Sequence, residues 1–243
     1  MAAEMHFHLP KPLHGWREFV GEVGIIVVGV LIALGMEQIA QSWHDQRATR
    51  EARDAIKAEV AEDLGGLLDR TSAEACIRRR LDEIGHFIDA ASAGTVSPPP
   101  TWISRPPTWN MDSFRWEAAS QAGRVSLLPT AEQSNFSDIY GSFKTIGQTE
   151  ADEQHLWARL RSLEGQQHIS DATAATMRSN LSEARYADWI IRILVLQISD
   201  DAKLVGASPV MDQRSRSPKV ICLPMNTSRA AALKLASRRF GAP

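Results

Sequence analysis

The sequence predicts an all-α protein in which an N-terminal transmembrane helix continues into a long helix of an antiparallel helical bundle. Three observations favour this class: one long apolar run near the N-terminus, apolar residues at helical spacing over most of the remaining chain, and a proline-rich stretch between two helical regions. We divide the chain into a short tail (1–18), a transmembrane helix (19–40), a bundle domain (41–206) and a basic C-terminal tail (207–243). About 200 residues follow the span, which is enough for one domain with a core.

The apolar run, VGIIVVGVLIALGM, covers Val23–Met36. Alone it would be about 21 Å of helix, shorter than the roughly 30 Å core of a bilayer. The helix can extend over 19–40 with only Glu22, Glu37 and Gln38 as polar residues. These lie near the ends, where a carboxylate can reach headgroup water. A membrane span is therefore favoured over a buried core helix.

Tryptophans flank this run at a membrane-like distance. Trp16 and Trp43 are separated by about 40 Å of helix, close to the spacing of the two headgroup layers. No small-x-small cleavage site follows the run, since Gly35-Met36-Glu37-Gln38 is a poor one, which argues against a cleaved signal peptide. Small residues four apart could support helix–helix contact. The predicted membrane-anchor residues are Trp16, Glu22, Gly29, Ala33 and Trp43.

The same stretch carries a resemblance. Gly21-Glu22-Val23, then Ile25–Leu34 (IIVVGVLIAL) and a Trp, resembles the opening of a family of uncharacterised bacterial single-pass membrane-anchored proteins with a domain of unknown function. The close similarity covers residues 16–43. This chain departs from the family pattern at Met36–Gln41, where many members carry Asn or Gln before the Trp.

A looser similarity to the same family continues beyond the membrane region. It covers Cys76, the string Trp116-Glu117-Ala118-Ala119 with Gly123, and Cys222-Leu223-Pro224. The resemblance implies architecture rather than activity: a bacterial inner-membrane protein with a short cytoplasmic tail and the bulk of the chain in the periplasm.

The distribution of basic residues around the span favours the opposite orientation. Two basic residues precede the span and four follow it: Lys11 and Arg17, then Arg47, Arg50, Arg53 and Lys57. Taken literally, the positive-inside rule would keep the domain in the cytoplasm. The four later residues are interleaved with acids, as on a solvated helix face. We expect the periplasmic orientation.

The chain has two cysteines, Cys76 and Cys222. In a cytosolic domain they would be buried thiols, and in an exported domain they would pair. A bridge would close a loop of 146 residues and contribute about 3–4 kcal/mol. The sequence leaves both alternatives open.

The first helical region, 44–92, carries an apolar stripe. Its members are Ile56, Val60, Leu64, Leu67, Leu81, Ile84 and Ile88. Gly65-Gly66 lowers helix stability by about 1–2 kcal/mol, so we expect a kink or break there. The stripe lacks a sustained heptad, which favours packing within the chain over a coiled coil.

Residues 93–110 are rich in proline, which excludes a helix, so we predict a loop there. It could be a polyproline ligand, but we favour a rigid connector whose Trp102 and Trp109 pack on the bundle. A short helix at 111–122 should then end at Gly123.

Two long helices follow. Thr130–Gln133 fits a capping box, and Ser170 fits an N-cap for a helix to about Val205. Residues 189–198 (WIIRILVLQI) are nearly all apolar and too few to cross a bilayer, so they should be the most buried turn of the bundle. Arg192 within them should reach outward or pair with an acid.

The tail is basic, with seven Lys or Arg and no Asp or Glu from Arg214 onward. An extended Lys219–Met225 should precede a short helix capped by Thr227 or Ser228. A basic amphipathic helix could lie on anionic lipid, but a solvated terminus is the simpler interpretation.

We find no motif for catalysis, cofactors or metal binding. The acidic cluster Glu150, Asp152 and Glu153 is typical of a solvated helix face, and a net charge of −2 argues against nucleic acid. We therefore expect no enzyme activity and no cofactor, with the lipid bilayer and a membrane protein or a second copy as partners. The predicted function is an envelope scaffold or accessory subunit. The alternative is a periplasmic ligand-sensing helical domain that signals through a partner.

Overall fold

A computed structural model describes residues 15–95, 98–211 and 219–238 of the 243-residue chain. The predicted tails therefore lie partly outside the described residues, at 1–14, 212–218 and 239–243. None of the described residues forms a β-strand, which confirms the all-α class. The helices are α1 (Trp16–Thr71), α2 (Glu74–Ser92), α3 (Phe114–Gln121), α4 (Thr130–Leu160), α5 (Asp171–Leu204) and α6 (Arg229–Arg238).

The chain separates into two units, residues 1–50 and 51–243. In the first unit the described residues from Trp16 onward are helical, and the apolar side chains of 19–40 are exposed. An 18-residue window in α1 has a mean hydropathy of 2.4, and none of it is buried. By length and composition, this helix could cross a membrane.

In the second unit, the predicted helical region 44–92 is divided between two helices: α1 ends at Thr71 and α2 begins at Glu74. The side chains of Thr71 and Ser72 donate hydrogen bonds to the carbonyl oxygens of Leu67 and Asp69, at 3.2 and 2.6 Å. Such side-chain bonds compete with the hydrogen bonds of the helix backbone, which accounts for the end of α1 at this point. Of the kink or break predicted at Gly65-Gly66, the break is wrong, because both glycines remain inside α1.

The bundle consists of α1 and α2 in succession, α4, and α5. Exposed ion pairs at 2.8 Å between Asp82 and Arg185, and between Asp89 and Arg178, show that α2 runs antiparallel to α5. By contrast, α4 runs in the same direction as α1, since Arg53 pairs with Glu132 and Arg70 with Glu153. The chain between α2 and α4 must therefore return along the bundle.

Two apolar cores follow from this arrangement. The first joins α1 to the start of α4 and the end of α5, through side chains such as Ile56, Phe136 and Ile198. The second joins α2 to the end of α4 and the start of α5, around the fully buried Trp157. The swap of ends between the two cores shows that α4 and α5 are antiparallel.

The starts of the long helices differ from each other. Ser170 caps α5 as predicted, with its Oγ accepting a hydrogen bond from the amide of Thr173 at 3.2 Å. The capping box at Thr130 is wrong: Pro129 precedes the helix, and no side chain caps it. Gln133, the expected box partner, instead donates a hydrogen bond from its Nε2 to the carbonyl oxygen of Leu128 at 2.7 Å.

The prediction that 189–198 is the most buried part of the bundle is also wrong. Ile191 and Ile198 are buried, but Trp189, Ile193 and Leu196 face solvent. Because α5 contacts its neighbours on one side only, an all-apolar helical segment must leave half of its side chains exposed.

Candidate functional site

The proline-rich segment, here residues 98–113, lies against α1 because α1 has glycines where it needs close contact. A Cβ atom on Gly66 would fall 2.0 Å from the indole of Trp109. A Cβ on Gly65 would fall 1.9 Å from the carbonyl oxygen of Val210. Glycine therefore admits two separate chain segments to the same turn of α1.

Two buried carboxylates on α1 bind this proline-rich segment, called the return segment below, and the first turn of α3. Asp63 accepts hydrogen bonds from Nε1 of Trp109 at 3.0 Å and from the amide of Asp112 at 3.1 Å. Glu59 accepts from the amide of Arg115 at 2.8 Å and from the hydroxyl of Tyr140 at 2.6 Å. Backbone N–H groups in an irregular segment and in the first turn of a helix have no intrahelical acceptor, and these carboxylates satisfy them.

Two turns further along α1, Arg70 is buried between three elements. Its guanidinium donates to Glu153 on α4 at 2.9 Å, to Asp188 on α5 at 3.2 Å, and to the carbonyl oxygen of Pro107 at 3.1 Å. The predicted solvated acidic face on α4 is therefore wrong for two of its three members, because Glu150 and Glu153 are buried. Only the third member of that cluster is exposed.

Burial raises the pKa of four carboxyl groups in this region. It raises the pKa of Asp63 to about 7, although the hydrogen bonds from Trp109 and Asp112 oppose the change. It raises the pKa of Glu150 to about 7, opposed by the charge of Arg70. The pKa values of Glu153 and Asp188 are also raised by burial and held down by Arg70.

A groove of about 770 Å³ lies between α4 and residues 108–117. Its apolar wall includes Trp116, which stacks on Tyr140 with ring centroids 5.1 Å apart. Glu150 lines the groove as well; its Oε2 accepts a hydrogen bond from the amide of Trp109 at 3.3 Å, and its Oε1 has no hydrogen-bond partner. An aromatic wall beside a buried acid is typical of small-molecule binding surfaces.

At the other end of the domain, the C-terminal segment is joined to α2. Cys76 and Cys222 form a disulfide, the alternative that the sequence favours for an exported domain. Beside it, the fully buried Arg80 donates hydrogen bonds to the carbonyl oxygens of Trp102, Ile103 and Leu223. One arginine thus joins α2, the proline-rich segment and the C-terminal segment.

The predicted anchor residues all lie in the first unit. Their side chains are exposed on the helix, as for Trp16, Glu22, Ala33 and Trp43. No atom lies within 4 Å of a Cβ placed on Gly29. Within the first unit, no described side chain covers this surface.

Sequence reasoning missed the row of Glu59, Asp63 and Arg70. These residues recur on one face of α1 at positions i, i+4 and i+11, together with the apolar stripe, and that spacing was the available signal. In the part of the chain that the structure describes, no three His, Cys, Asp or Glu residues are grouped to hold a metal ion. No protein-family model, curated protein or solved structure matches the chain, so the family resemblance stays a prediction.

Proposed function

We propose that the protein is a single-pass inner-membrane protein whose helical domain lies in the periplasm and acts by binding, as a non-enzymatic envelope scaffold or accessory subunit. The observation that carries the membrane location is the exposed apolar helix at 19–40. Leaving this many apolar side chains in water would be strongly unfavourable, whereas a bilayer would accommodate them.

The orientation is supported by the disulfide between Cys76 and Cys222. Such bonds persist in the bacterial periplasm and are rare in the reducing cytosol. The binding role is supported by the rigidity of the domain. Its C-terminal segment is fixed covalently to α2, and its return segment is held by the buried side chains of Asp63, Arg70 and Arg80.

The location is tested by washing native membranes with carbonate and mapping the two thiols. We expect the full-length protein in the pellet, with the Cys76 and Cys222 peptides linked after acid quenching and alkylation. Protease added to spheroplasts should digest the domain. Recovery in the supernatant would exclude the span, and free thiols with protease protection would place the domain in the cytoplasm. A stoichiometric membrane protein that co-purifies with the chain would support the scaffold role.

A second candidate function is ligand sensing, which the groove beside α4 favours. Three acids and one amine line it: Asp112, Glu117, Glu150 and Lys144. This excess of negative charge beside the indole of Trp116 suits a small organic cation, because aromatic faces and carboxylates both attract cations.

Spermidine and choline are suitable probes for this second function. Either cation should raise the melting temperature of the full-length protein in detergent, and the double variant Asp112→Asn, Glu117→Gln should reduce that rise. Glu62→Gln, an exposed change on α1 that does not line the groove, is the matched control. An equal rise in all three proteins would mean that binding occurs elsewhere.

A further inference from the structure

Four apolar side chains form an outward row on α5, here named the α5 stripe. They are Tyr186, Trp189, Ile193 and Leu196, with exposed fractions of 64, 46, 42 and 59%. Their spacings of three, four and three residues place them on one face of the helix. The buried residues Ala184, Ile191 and Ile198 lie on the opposite face, so the stripe points away from the bundle.

The stripe is a continuous surface rather than scattered exposure. The rings of Tyr186 and Trp189 stack with centroids 5.8 Å apart, and Ile193 and Leu196 continue the row along the next two turns. Together the four side chains expose on the order of 400–500 Å², comparable to the largest apolar patches on monomeric proteins, which often mark binding sites. A row of this shape suits the apolar face of another helix.

Charges border the stripe with one sign on each side. At about 100° per residue, Arg185, Arg192 and Lys203 lie along one edge. Glu183 and Asp201 lie along the other edge. The ion pairs that Arg185 and Lys203 make within the chain, with Asp82 and Asp200, are exposed to solvent. Such pairs contribute little, so either cation can change partner at small cost.

This charge pattern favours a second copy of the chain as the occupant. If two α5 helices face each other in parallel, the basic edge of one meets the acidic edge of the other. Arg185 then lies near Glu183 of the second copy, and Lys203 lies near Asp201. In an antiparallel pair the basic edge of one helix would face the basic edge of the other, and the two acidic edges would also face each other. Both contacts would be repulsive. Edge charges set helix orientation in this way in coiled coils.

We propose that the α5 stripe binds the α5 stripe of a second copy, with the two helices parallel around a twofold axis. The paired surface extends from Tyr186 to Leu196. The apolar contact ends there, because Asp200, one turn beyond Leu196, lies in line with the stripe and would face Asp200 of the second copy. The buried area is below the roughly 800 Å² per partner of a standard interface, so the dimer is weak in dilute solution. Confinement to one bilayer would strengthen it by raising the effective concentration; that contribution alone rests on the membrane location proposed above.

Cysteine cross-linking of the full-length protein in native membranes tests the pairing and its direction. A parallel pair places Ser182 and Ile193 each beside the same residue of the second copy. In an antiparallel pair, two copies of Ser182 would be about 27 Å apart, and Ser182 would face Asp200. The single variants Ser182→Cys and Ile193→Cys are treated with a mild oxidant and resolved without reduction. Gln148→Cys, exposed on α4, is the control.

We expect covalent dimers from Ser182→Cys and Ile193→Cys, and none from the control. Adding Leu196→Glu should reduce the Ser182→Cys dimer at least tenfold. Adding Leu127→Glu, which changes a leucine of similar exposure outside the stripe, should leave it unchanged. The melting temperature of each variant shows that the domain is folded.

Three results would overturn the inference. The first is that Ser182→Cys gives no more dimer than the control. The second is that cross-linking occurs only when Ser182→Cys and Asp200→Cys are co-expressed, which would mean an antiparallel pair. The third is a cross-linked product whose mass shows a different protein. Carbonate washing of the same membranes reports separately on the membrane location, so failure of one proposal does not hide failure of the other.

Discussion

The indole of Trp109 covers the backbone of α1 at Gly66, and its Nε1 donates a hydrogen bond to Asp63 of the preceding turn at 3.0 Å. In an exposed helix, replacing glycine with alanine stabilises the fold by about 1 kcal/mol. Here the new Cβ would overlap the indole, so the ring must move and its bond to Asp63 must lengthen or break. We expect Gly66→Ala to lower the free energy of unfolding by about 2–3 kcal/mol, measured by urea unfolding of the full-length protein in detergent.

Gly141 supplies the matched control for this change. It is also an internal helical glycine, but no atom lies within 4 Å of the position that its Cβ would take. Gly141→Ala should therefore stabilise the protein by about 0.5–1 kcal/mol. If Gly66→Ala were stabilising to the same degree, the indole could not lie on α1 as described.

Arg70 is the only cation that donates to Glu153 and Asp188 among the hydrogen bonds of the described residues. Its replacement by methionine keeps most of the side-chain volume but leaves two buried acids without their partner. We expect Arg70→Met to cost about 3–5 kcal/mol. Arg178→Met, which breaks an exposed pair with Asp89, should cost less than about 1 kcal/mol. Equal effects in urea unfolding would mean that the Arg70 network is open to water.

The raised pKa values of Asp63 and Glu150 predict how stability depends on pH. Both are about 7 in the folded protein, whereas such groups titrate near 4 when unfolded, so the folded state holds more protons between these values. The stability they contribute is complete below pH 4 and is lost as the pH rises through 7. We expect the free energy of unfolding to fall by a few kcal/mol between pH 5 and pH 8.

The double variant Asp63→Asn, Glu150→Gln tests whether these two groups cause that decrease. Amides do not titrate, so its stability should change less between pH 5 and pH 8, even though an amide in place of Asp63 offers one acceptor fewer to the return segment. Glu117→Gln, an exposed change, is the control and should keep the wild-type slope. A wild-type stability that rises over this range would contradict the raised pKa values.

The sequence was sufficient to predict the helices because their apolar residues recur at helical spacing. Ile56, Phe136 and Ile198 are all core residues, and Ser170 is the N-cap of α5. It could not predict that α4 runs parallel to α1, because that direction depends on pairs such as Arg70 and Glu153, 83 residues apart. The same long-range partners explain why the acids of α4 do not form the predicted solvated face.

The sequence did not predict the exposed stripe on α5, for a related reason. The run at 189–198 shows apolar residues on every side of the helix, and hydrophobicity alone does not tell which side meets a neighbour. α2 packs against α5 through buried side chains such as Ile84 and Leu181, and this packing leaves Trp189 and Ile193 uncovered. Only the packed structure separates the core face from the face proposed to bind a second copy.

Removal of the disulfide is expected to have two effects: a lower global stability and more frequent local opening of the C-terminal segment. The double variant Cys76→Ser, Cys222→Ser should lose about 3–4 kcal/mol in urea unfolding, since a loop of 146 residues is no longer closed in the unfolded chain. The segment should still bind, because Arg80 contacts the carbonyl oxygen of Leu223 and the amide of Trp102 donates to Met225 at 2.9 Å. Its local opening should become more frequent once it is held only by non-covalent contacts, which include the buried side chain of Ile221.

Amide hydrogen exchange distinguishes this local opening from global unfolding. The amide of Trp102 reports on the C-terminal segment, and the amide of Val210, which donates to Ala61 at 2.9 Å, reports on a segment that the disulfide does not hold. In the double variant, exchange at Trp102 should accelerate more than exchange at Val210 at equal pH and temperature. Equal acceleration at both amides would mean that the disulfide acts only through the unfolded chain and that Arg80 is sufficient to hold the segment in place.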